Sequence, residues 1–246
     1  MSSAPTEAAK PELIWLREEP CSRNPGHSWA RIAAAAIAIA DRDGFEAVSM
    51  RRVAQELGAG TMTLYHYVAN KDDLVSLMTD AVMGEVLVPE DELPRRWRPA
   101  IARIATETRQ SLRRHRWMLD LLGDHRPGPN GLRHFEQSLQ AMSSLDIPRK
   151  EKFEAIVLID EYVFGFAIRE AQEGYNRRPW EREKREFFSR ELDRGDFPQI
   201  RAFFEDDVDA ARQLVTEVFL DEQRFERGLN RLLDGIEAAL PAESDS

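Results

Sequence analysis

The stretch SMRRVAQELGAGTMTLYHYVANKDDL, Ser49 to Leu74, decides the fold of this chain. It reads as a helix, a tight turn and a second helix, followed by the start of another. Ala54 is small where two helices must cross closely. Gly58 lacks a Cβ and can take the left-handed conformation that ends a helix. Leu64 is placed to hold the second helix on the first from inside, and Val68 joins it in packing. Around Leu64, the residues Thr61, Met62, Thr63, Tyr65, His66 and Tyr67 are mostly short polar or aromatic side chains. A helix so composed has little to bury in a core, but it can enter a groove, make hydrogen bonds and stack.

The flanking segments fit this reading. Ser28 can cap a preceding helix whose apolar positions Trp29, Ile32, Ala33, Ala36, Ile37 and Ala40 recur at helical spacing. Gly44 ends it, and Ser49 can cap the next. Asn70 with Asp73 forms a cap pair for a fourth helix carrying Leu74, Leu77, Met78, Ala81 and Val82 on one face. The run from about Ser28 to Glu85 closely resembles the N-terminal domain of the TetR family of bacterial transcriptional regulators. Within it, TLYHYVANKDDL is similar to that family's recognition helix and the start of its fourth helix.

Charge limits how DNA could be held. The chain of 246 residues carries a formal net charge of −10, which excludes a protein coated in basic patches. The deficit is uneven: Ser22 to Met83 is close to neutral, at −1, and Gly84 to the end is −7. A near-neutral reading unit would therefore rely on a few cations, Arg51, Arg52 and Lys71, together with helix N-termini.

A hydrophobic content of 42% suits a globular chain with a sizeable core. The longest apolar run, Ile32 to Ala40, is too short to span a bilayer, so no membrane partner is expected. Glu7, Lys10 and Glu12 interrupt the N-terminus, and no signal peptide is visible. A lone cysteine, Cys21, leaves no internal disulfide and points to a reducing, cytoplasmic setting.

Residues 1–27, with four prolines, read as a flexible arm in which Leu13, Ile14, Trp15 and Leu16 are placed to dock on the body. Residues 28–88 form the helix-turn-helix unit. The proline-bounded Pro89–Pro94 link then leads into a helical domain over 95–241. There the patterns are helical throughout, at about 97–115, 117–124, 129–145, 149–174, 180–194, 200–219 and 222–240, with no strand signal. The expected fold is all-α. REKRE at Arg182–Glu186 is read as a solvated helix face rather than a second nucleic-acid patch.

The helix from Arg149 has a centre, AIVLIDEYVFGFAI, that is apolar nearly all round, with Asp160 and Glu161 as anomalies inside it. Those acids could pair with arginines across a dimer or face a cavity. The last helix lines up Phe225, Leu229, Leu232, Leu233, Ile236 and Leu240, while Gly228 and Gly235 could admit a close neighbour. Two such helices from each of two subunits would form a four-helix, isologous interface. Phe153, Val157, Phe164, Phe225, Leu229, Leu232 and Ile236 are its candidate residues. The layout resembles the C-terminal domain of the TetR subgroup that includes the tetracycline repressor.

The resemblance implies DNA contacts from the second and third helices. Arg51 would reach phosphate or guanine, and Thr61, Met62 and Thr63 would face base edges. Tyr65, His66 and Tyr67 would flank them, and Lys71 would hold phosphate. Met62 departs from the polar pattern and suits a thymine methyl. A ligand pocket is likewise implied, with Trp97, Trp117, Met118, Leu121, His134, Phe135, Met142, Tyr162 and Phe166 as walls; each of these also suits plain core. The implied partners are a double-stranded operator, an unidentified small-molecule effector and a second copy of the chain.

Catalysis finds little support: there is no HExxH, no Glu-x-x-His pair, no glycine-rich phosphate loop and no nucleophile elbow. His115, His125 and His134 are better read as chance histidines than as metal ligands, and no cofactor is expected. The rival readings are an all-α ligand-binding or enzymatic protein with an incidental helix-turn-helix, and a regulator answering to a protein partner instead of a ligand.

Overall fold

The computed structural model describes residues 13–20, 27–121, 127–172, 182–204 and 208–240. All regular structure among them is helical. Two compact units result, one running through Leu145 and one from Asp146.

In the first unit, α1 (Trp29–Asp43) starts where Ser28 Oγ accepts a hydrogen bond from the Arg31 amide and ends at Gly44, whose φ is 86°. Its buried face is Ile32, Ala33, Ala36, Ile37, Ile39 and Ala40. A 3-10 turn at Phe45–Ala47 leads to α2 (Met50–Glu56), capped by Ser49 through the Arg52 amide. The chain then turns on Gly58 at φ 64°, where the Ala59 amide reaches back to the Ala54 carbonyl at 2.8 Å. A left-handed residue here without glycine would cost about 1–2 kcal/mol.

Next come α3 (Thr61–Tyr67) and α4 (Lys71–Val86). One half of the expected cap pair forms, Asn70 Oδ1 accepting from the Asp73 amide at 2.8 Å, while the Asp73 carboxylate reaches one residue further back and Oδ2 accepts from the Ala69 amide at 2.9 Å. Such a cap contributes about 1 kcal/mol.

The arm segment at 13–20 is docked on this unit. Ile14 is 1% exposed, and the Trp15 ring meets Trp29 edge-on at 6.3 Å. Arg17 forms an ion pair with Asp73, and Glu19 accepts from the Trp29 amide at 2.6 Å. Of the four residues expected to dock, Ile14 and Trp15 do, whereas Leu13 and Leu16 stay exposed. Residues 1–12 and 21–26 lie outside the described residues.

Helices α5 (Trp97–Arg114) and α6 (Pro129–Ala141) pack on α4 and on each other within the same unit. The Pro89–Pro94 link is a turn inside it, with the Glu92 and Leu93 amides donating to the Pro89 carbonyl at 3.0 Å. The second unit holds α7 (Arg149–Ala171), α8 (Arg182–Asp193), α9 (Pro198–Phe203), α10 (Val208–Leu220) and α11 (Arg224–Ala239).

Two of the expected helices differ. The one at 117–124 is a 3-10 segment, Arg116–Leu121, its remainder lying outside the described residues. The one at 200–219 is broken into α9 and α10. The Arg182–Glu186 run opens α8 with every residue exposed, which is the solvated face expected of it.

Candidate DNA-reading face and regulatory interior

The short helix α3 turns two kinds of side chain in opposite directions. Leu64 at 2% and Tyr67 at 7% exposure face the core, with Val68 buried beyond them. Met62 at 81% and Tyr65 at 46% exposure project outward beside exposed Thr63 and His66, with Thr61 half-buried at the helix start. Leaving a methionine and a tyrosine in water forfeits burial worth about 1.5–3 kcal/mol each. An exposed face of this kind points to a partner surface.

Tyr67 departs from the expectation that it flanks the base-reading residues. Its position, three after Leu64, is on the inward face of the helix. Its ring meets those of His27 and His66, and its carbonyl accepts from Trp29 Nε1 at 3.0 Å.

The cations of the reading unit divide by their neighbours. Arg42 bonds Asp43 and Glu56, which raise its pKa further, and Arg52 pairs with Asp43. Arg51 and Lys71 are both exposed, and neither forms an ion pair among the described residues. The Lys71 ammonium sits 4.9 Å from the Phe45 ring centroid. Of these four charges, two are thus matched internally and two remain open to an anionic partner.

Polar links join α5 and α6 to this unit, and the sequence patterns did not reveal them. Buried His115 bonds Asp41 of α1 through Nδ1 at 2.9 Å and Glu85 of α4 through Nε2 at 3.1 Å. Trp117 Nε1 donates to the same Asp41 carboxylate at 2.8 Å. On the other side of α4, buried Asp80 accepts from the Asn130 amide at 2.8 Å and the Gly131 amide at 3.1 Å, capping α6 from outside. Burial raises the Asp80 pKa against the lowering effect of those amides. Gly128 has no room for a side chain, because a Cβ there would meet Trp15 Cζ2 at 2.6 Å and collide with the Asp80 carboxylate.

The proposed pocket residues are distributed over both units. Trp117 is 4% exposed and stacks on Phe45 at 6.1 Å, so it packs in the helix-turn-helix core, where Met118 and Leu121 also pack. Trp97 opens α5 half-buried, Phe135 is exposed on α6, and Met142 is fully buried. His134 is buried, its Nδ1 has no hydrogen-bond partner, and burial lowers its pKa. Ser111 Oγ on α5 is a second shielded polar atom without a partner.

In the second unit, Tyr162 and Phe166 of α7 cluster with Phe225 of α11. Tyr162 Oη donates to the Phe225 carbonyl at 2.8 Å. Of the proposed dimer residues, Phe225 and Leu229 are buried within their own chain. Phe153 and Val157 are exposed, and Phe164, Leu232 and Ile236 are half-buried. Glu161 is exposed, while burial pushes the Asp160 carboxyl up to about 6.

Comparison with known proteins gives matches over both halves. Residues 32–78 match the family described as bacterial regulatory proteins, tetR family, and residues 89–240 match the tetracyclin repressor-like C-terminal domain. Over 237 residues the chain is 34% identical to the HTH-type transcriptional repressor DrrR1 of Streptomyces coeruleorubidus, covering 92% of this chain and 84% of that protein. An HTH-type transcriptional regulator of Saccharopolyspora erythraea is 35% identical over 167 residues, covering 67% of this chain and 70% of the relative. Among solved structures, Streptomyces coelicolor ActR in complex with actinorhodin aligns with a TM-score of 0.65 at 27% identity, covering 90% of this chain and 100% of ActR.

Proposed function

From the premise that this chain belongs to the TetR family of bacterial regulatory proteins, we propose that it is a homodimeric repressor released from a palindromic operator by a small molecule. The carrying observation is the outward face of α3, where Met62, Thr63, Tyr65 and His66 stand exposed on a helix fixed from behind by Leu64. Thr61, Met62 and Thr63 then read base edges, Tyr65 and His66 flank them, and Arg51 and Lys71 neutralise phosphate. Tyr67 supports this helix from within.

Residues 28–88 read DNA and residues 95–241 carry dimerisation and effector binding. The exposed stripe of Phe153 and Val157 with half-buried Phe164, Leu232 and Ile236 supports a second copy on α7 and α11. Two recognition helices about 34–36 Å apart would occupy successive major grooves. An effector that binds the two dimer states 100-fold unequally supplies about 2.7 kcal/mol of coupling, enough for release at modest operator occupancy. The ActR complexes with actinorhodin and with (S)-DNPA support a small-molecule effector here. The role is regulatory rather than enzymatic and cytoplasmic; no helix among the described residues is long and apolar enough to cross a membrane.

Selection of bound duplexes from a random pool, at physiological salt, tests the reading. Enrichment of one palindromic site is expected. Arg51→Ala with Lys71→Ala should flatten the salt dependence of binding by about two units of log–log slope per subunit, without unfolding the dimer. A folded dimer that enriches no site would refute the reading.

A further inference from the structure

Arg224, the first residue of α11, is a cation whose charge is felt by Asp221 but whose guanidinium makes no direct ion pair or hydrogen bond through Nε and Nη2. Its Nε and Nη2 atoms are shielded from solvent and have no hydrogen-bond partner. Among the described residues it forms no ion pair. Its guanidinium carbon lies over two aromatic rings, 4.5 Å from the Phe166 centroid and 4.9 Å from that of Phe219. Arg169 approaches the same Phe219 ring at 5.6 Å.

The nearby carboxylate of Asp221 is committed elsewhere: it pairs with Arg227 and accepts from the Gln223 amide at 2.9 Å. These bonds, together with the charges of Arg227 and Arg224, hold its carboxyl below the usual carboxylate range against the opposing effect of burial.

A shielded charge with unmet donors is costly, and ring faces satisfy only the π side of a guanidinium. What lacks a hydrogen bond is its edge. Nε and Nη2 are the two nitrogens whose N–H bonds run parallel, the fork that takes both oxygens of one carboxylate. The rings beside it suit a flat apolar body attached to that carboxylate.

We propose that Arg224, with Phe166 and Phe219, forms the anchoring site for an effector that is a planar aromatic carboxylate. The proposal rests on the regulator reading above and names the effector's chemical class. Arg224 supplies the bidentate hydrogen bonds, Phe166 and Phe219 supply stacking surface, and Arg169 adds a second positive charge beside Phe219. The bond to the carboxylate removes the cost of the unpaired guanidinium, so binding also stiffens the junction between α10 and α11.

The test titrates the full-length protein with anthraquinone-2-carboxylate and with its neutral carboxamide, in wild type, Arg224→Gln and Arg224→Lys. The carboxylate should bind the wild type about tenfold to a hundredfold more tightly than the amide, the range of a charge-assisted bidentate bond. Arg224→Gln should erase that preference by weakening the acid far more than the amide, and Arg224→Lys should restore only part of it. Equal affinities for acid and amide in the wild type would overturn the proposal. So would acetate or inorganic phosphate competing as strongly as the aromatic acid.

Sedimentation of Arg224→Gln guards against another occupant of the fork. A dimer weakened tenfold, with ligand affinity intact, would assign the fork to a carboxylate of the second copy and overturn the effector site. Operator binding separates the two readings. Acid binding through Arg224 that never releases DNA would sink the effector reading and spare the site. Release by ligands indifferent to Arg224 would do the reverse.

Discussion

Gly228→Ala should be among the most damaging single-methyl changes available in the second unit, although alanine is the better helix former. Gly228 lies in the first half of α11, opposite Tyr162 of α7. A Cβ there would meet Tyr162 Cζ at 2.9 Å and Cε2 at 3.1 Å, with the hydroxyl oxygen closer still. The ring cannot simply yield. Its hydroxyl donates to the Phe225 carbonyl at 2.8 Å, and its face lies against Phe225 at 5.5 Å, tilted by 29°. Phe225 is itself fully buried.

Overpacking a filled site costs about 1–3 kcal/mol, and turning Tyr162 away forfeits a hydrogen bond worth about 1 kcal/mol more. The helix preference of alanine over glycine returns about 1 kcal/mol. The net expectation is a loss of about 1–3 kcal/mol, read as a lower urea midpoint with an unchanged slope. Tyr162→Phe in the Gly228→Ala background should recover part of the loss, a non-additive pair, because the hydroxyl is the nearest clash. Gly235, seven residues on, meets nothing within 4 Å, so Gly235→Ala should stabilise the fold slightly. A Gly228→Ala protein at least as stable as the parent would refute the Tyr162–Phe225 packing. A loss at Gly235 would place a second copy of the chain against that face.

Asp160 carries a pH signature. Its folded carboxyl titrates near 6 because of burial, against 3.8 unfolded, so the folded state binds the proton more tightly. Its contribution therefore becomes unfavourable as pH rises from about 4 to 6, and Asp160→Asn should stabilise the protein at pH 7.5 by about 3 kcal/mol and little at pH 4. A lower melting temperature for the variant at pH 7.5 would mean that the charged form is paired. Gly58→Ala should cost about 1 kcal/mol in chemical denaturation, purely from its φ of 64°, since no atom lies within 4 Å of the added methyl. Gly58→Asn should cost less. Asp80→Ala should cost about 1–3 kcal/mol by orphaning the Asn130 and Gly131 amides, with Asp80→Asn retaining part of the cap; equal thermal stability of Asp80→Ala and parent would refute the clasp.

The DNA-reading half was legible because its signals are local. Ser28, Ser49 and Asn70 each sit at a fixed offset from the amide they cap, and Gly58 marks a backbone conformation that few other residues adopt. Tyr67 could have been assigned to the core from the same spacing, since it follows Leu64 by three residues. Its aromatic neighbours instead drew it into the polar face. The links of His115 to Asp41 and Glu85, and of Asp80 to Asn130, span 30 to 74 residues and leave no trace in helical periodicity. Trp117 shows the same limit: a tryptophan after a predicted break reads as a pocket wall, and only the distant Phe45 and Asp41 show which core takes it. In the second unit, an apolar stripe on α11 cannot say whether α7 of its own chain or of another covers it. Phe225 and Leu229 turned inward, and Gly228 spares room for Tyr162 of the same chain.

The placement of those long-range links bears on how binding could be relayed within the first unit. His115 and Trp117 fasten the end of α5 to Asp41 at the end of α1, and His115 reaches Glu85 near the end of α4. Asp80, about a turn and a half earlier on α4, holds the first turn of α6. Gln137 of α6 brackets Val88, accepting from its amide at 3.1 Å and donating to its carbonyl at 2.7 Å. All these bonds land on α1, α4 or the residues just after α4, while α2 and α3 are attached to α1 by the packing of Val53, Ala54, Leu64 and Val68 and by the Arg42–Glu56, Arg52–Asp43 and Trp29–Tyr67 carbonyl bonds. A shift of α6 is therefore transmitted to α4 through directional bonds at two levels. The reading helix follows as part of a packed body, because close-packed interiors resist local deformation. The Asp80 cap and the Gln137 pair have unlike chemistry and lie on either side of the α4 terminus. Moving α6 without moving α4 would break both, at about 1 kcal/mol or more per bond. That sum is comparable to the 2.7 kcal/mol of coupling required of a 100-fold selective effector.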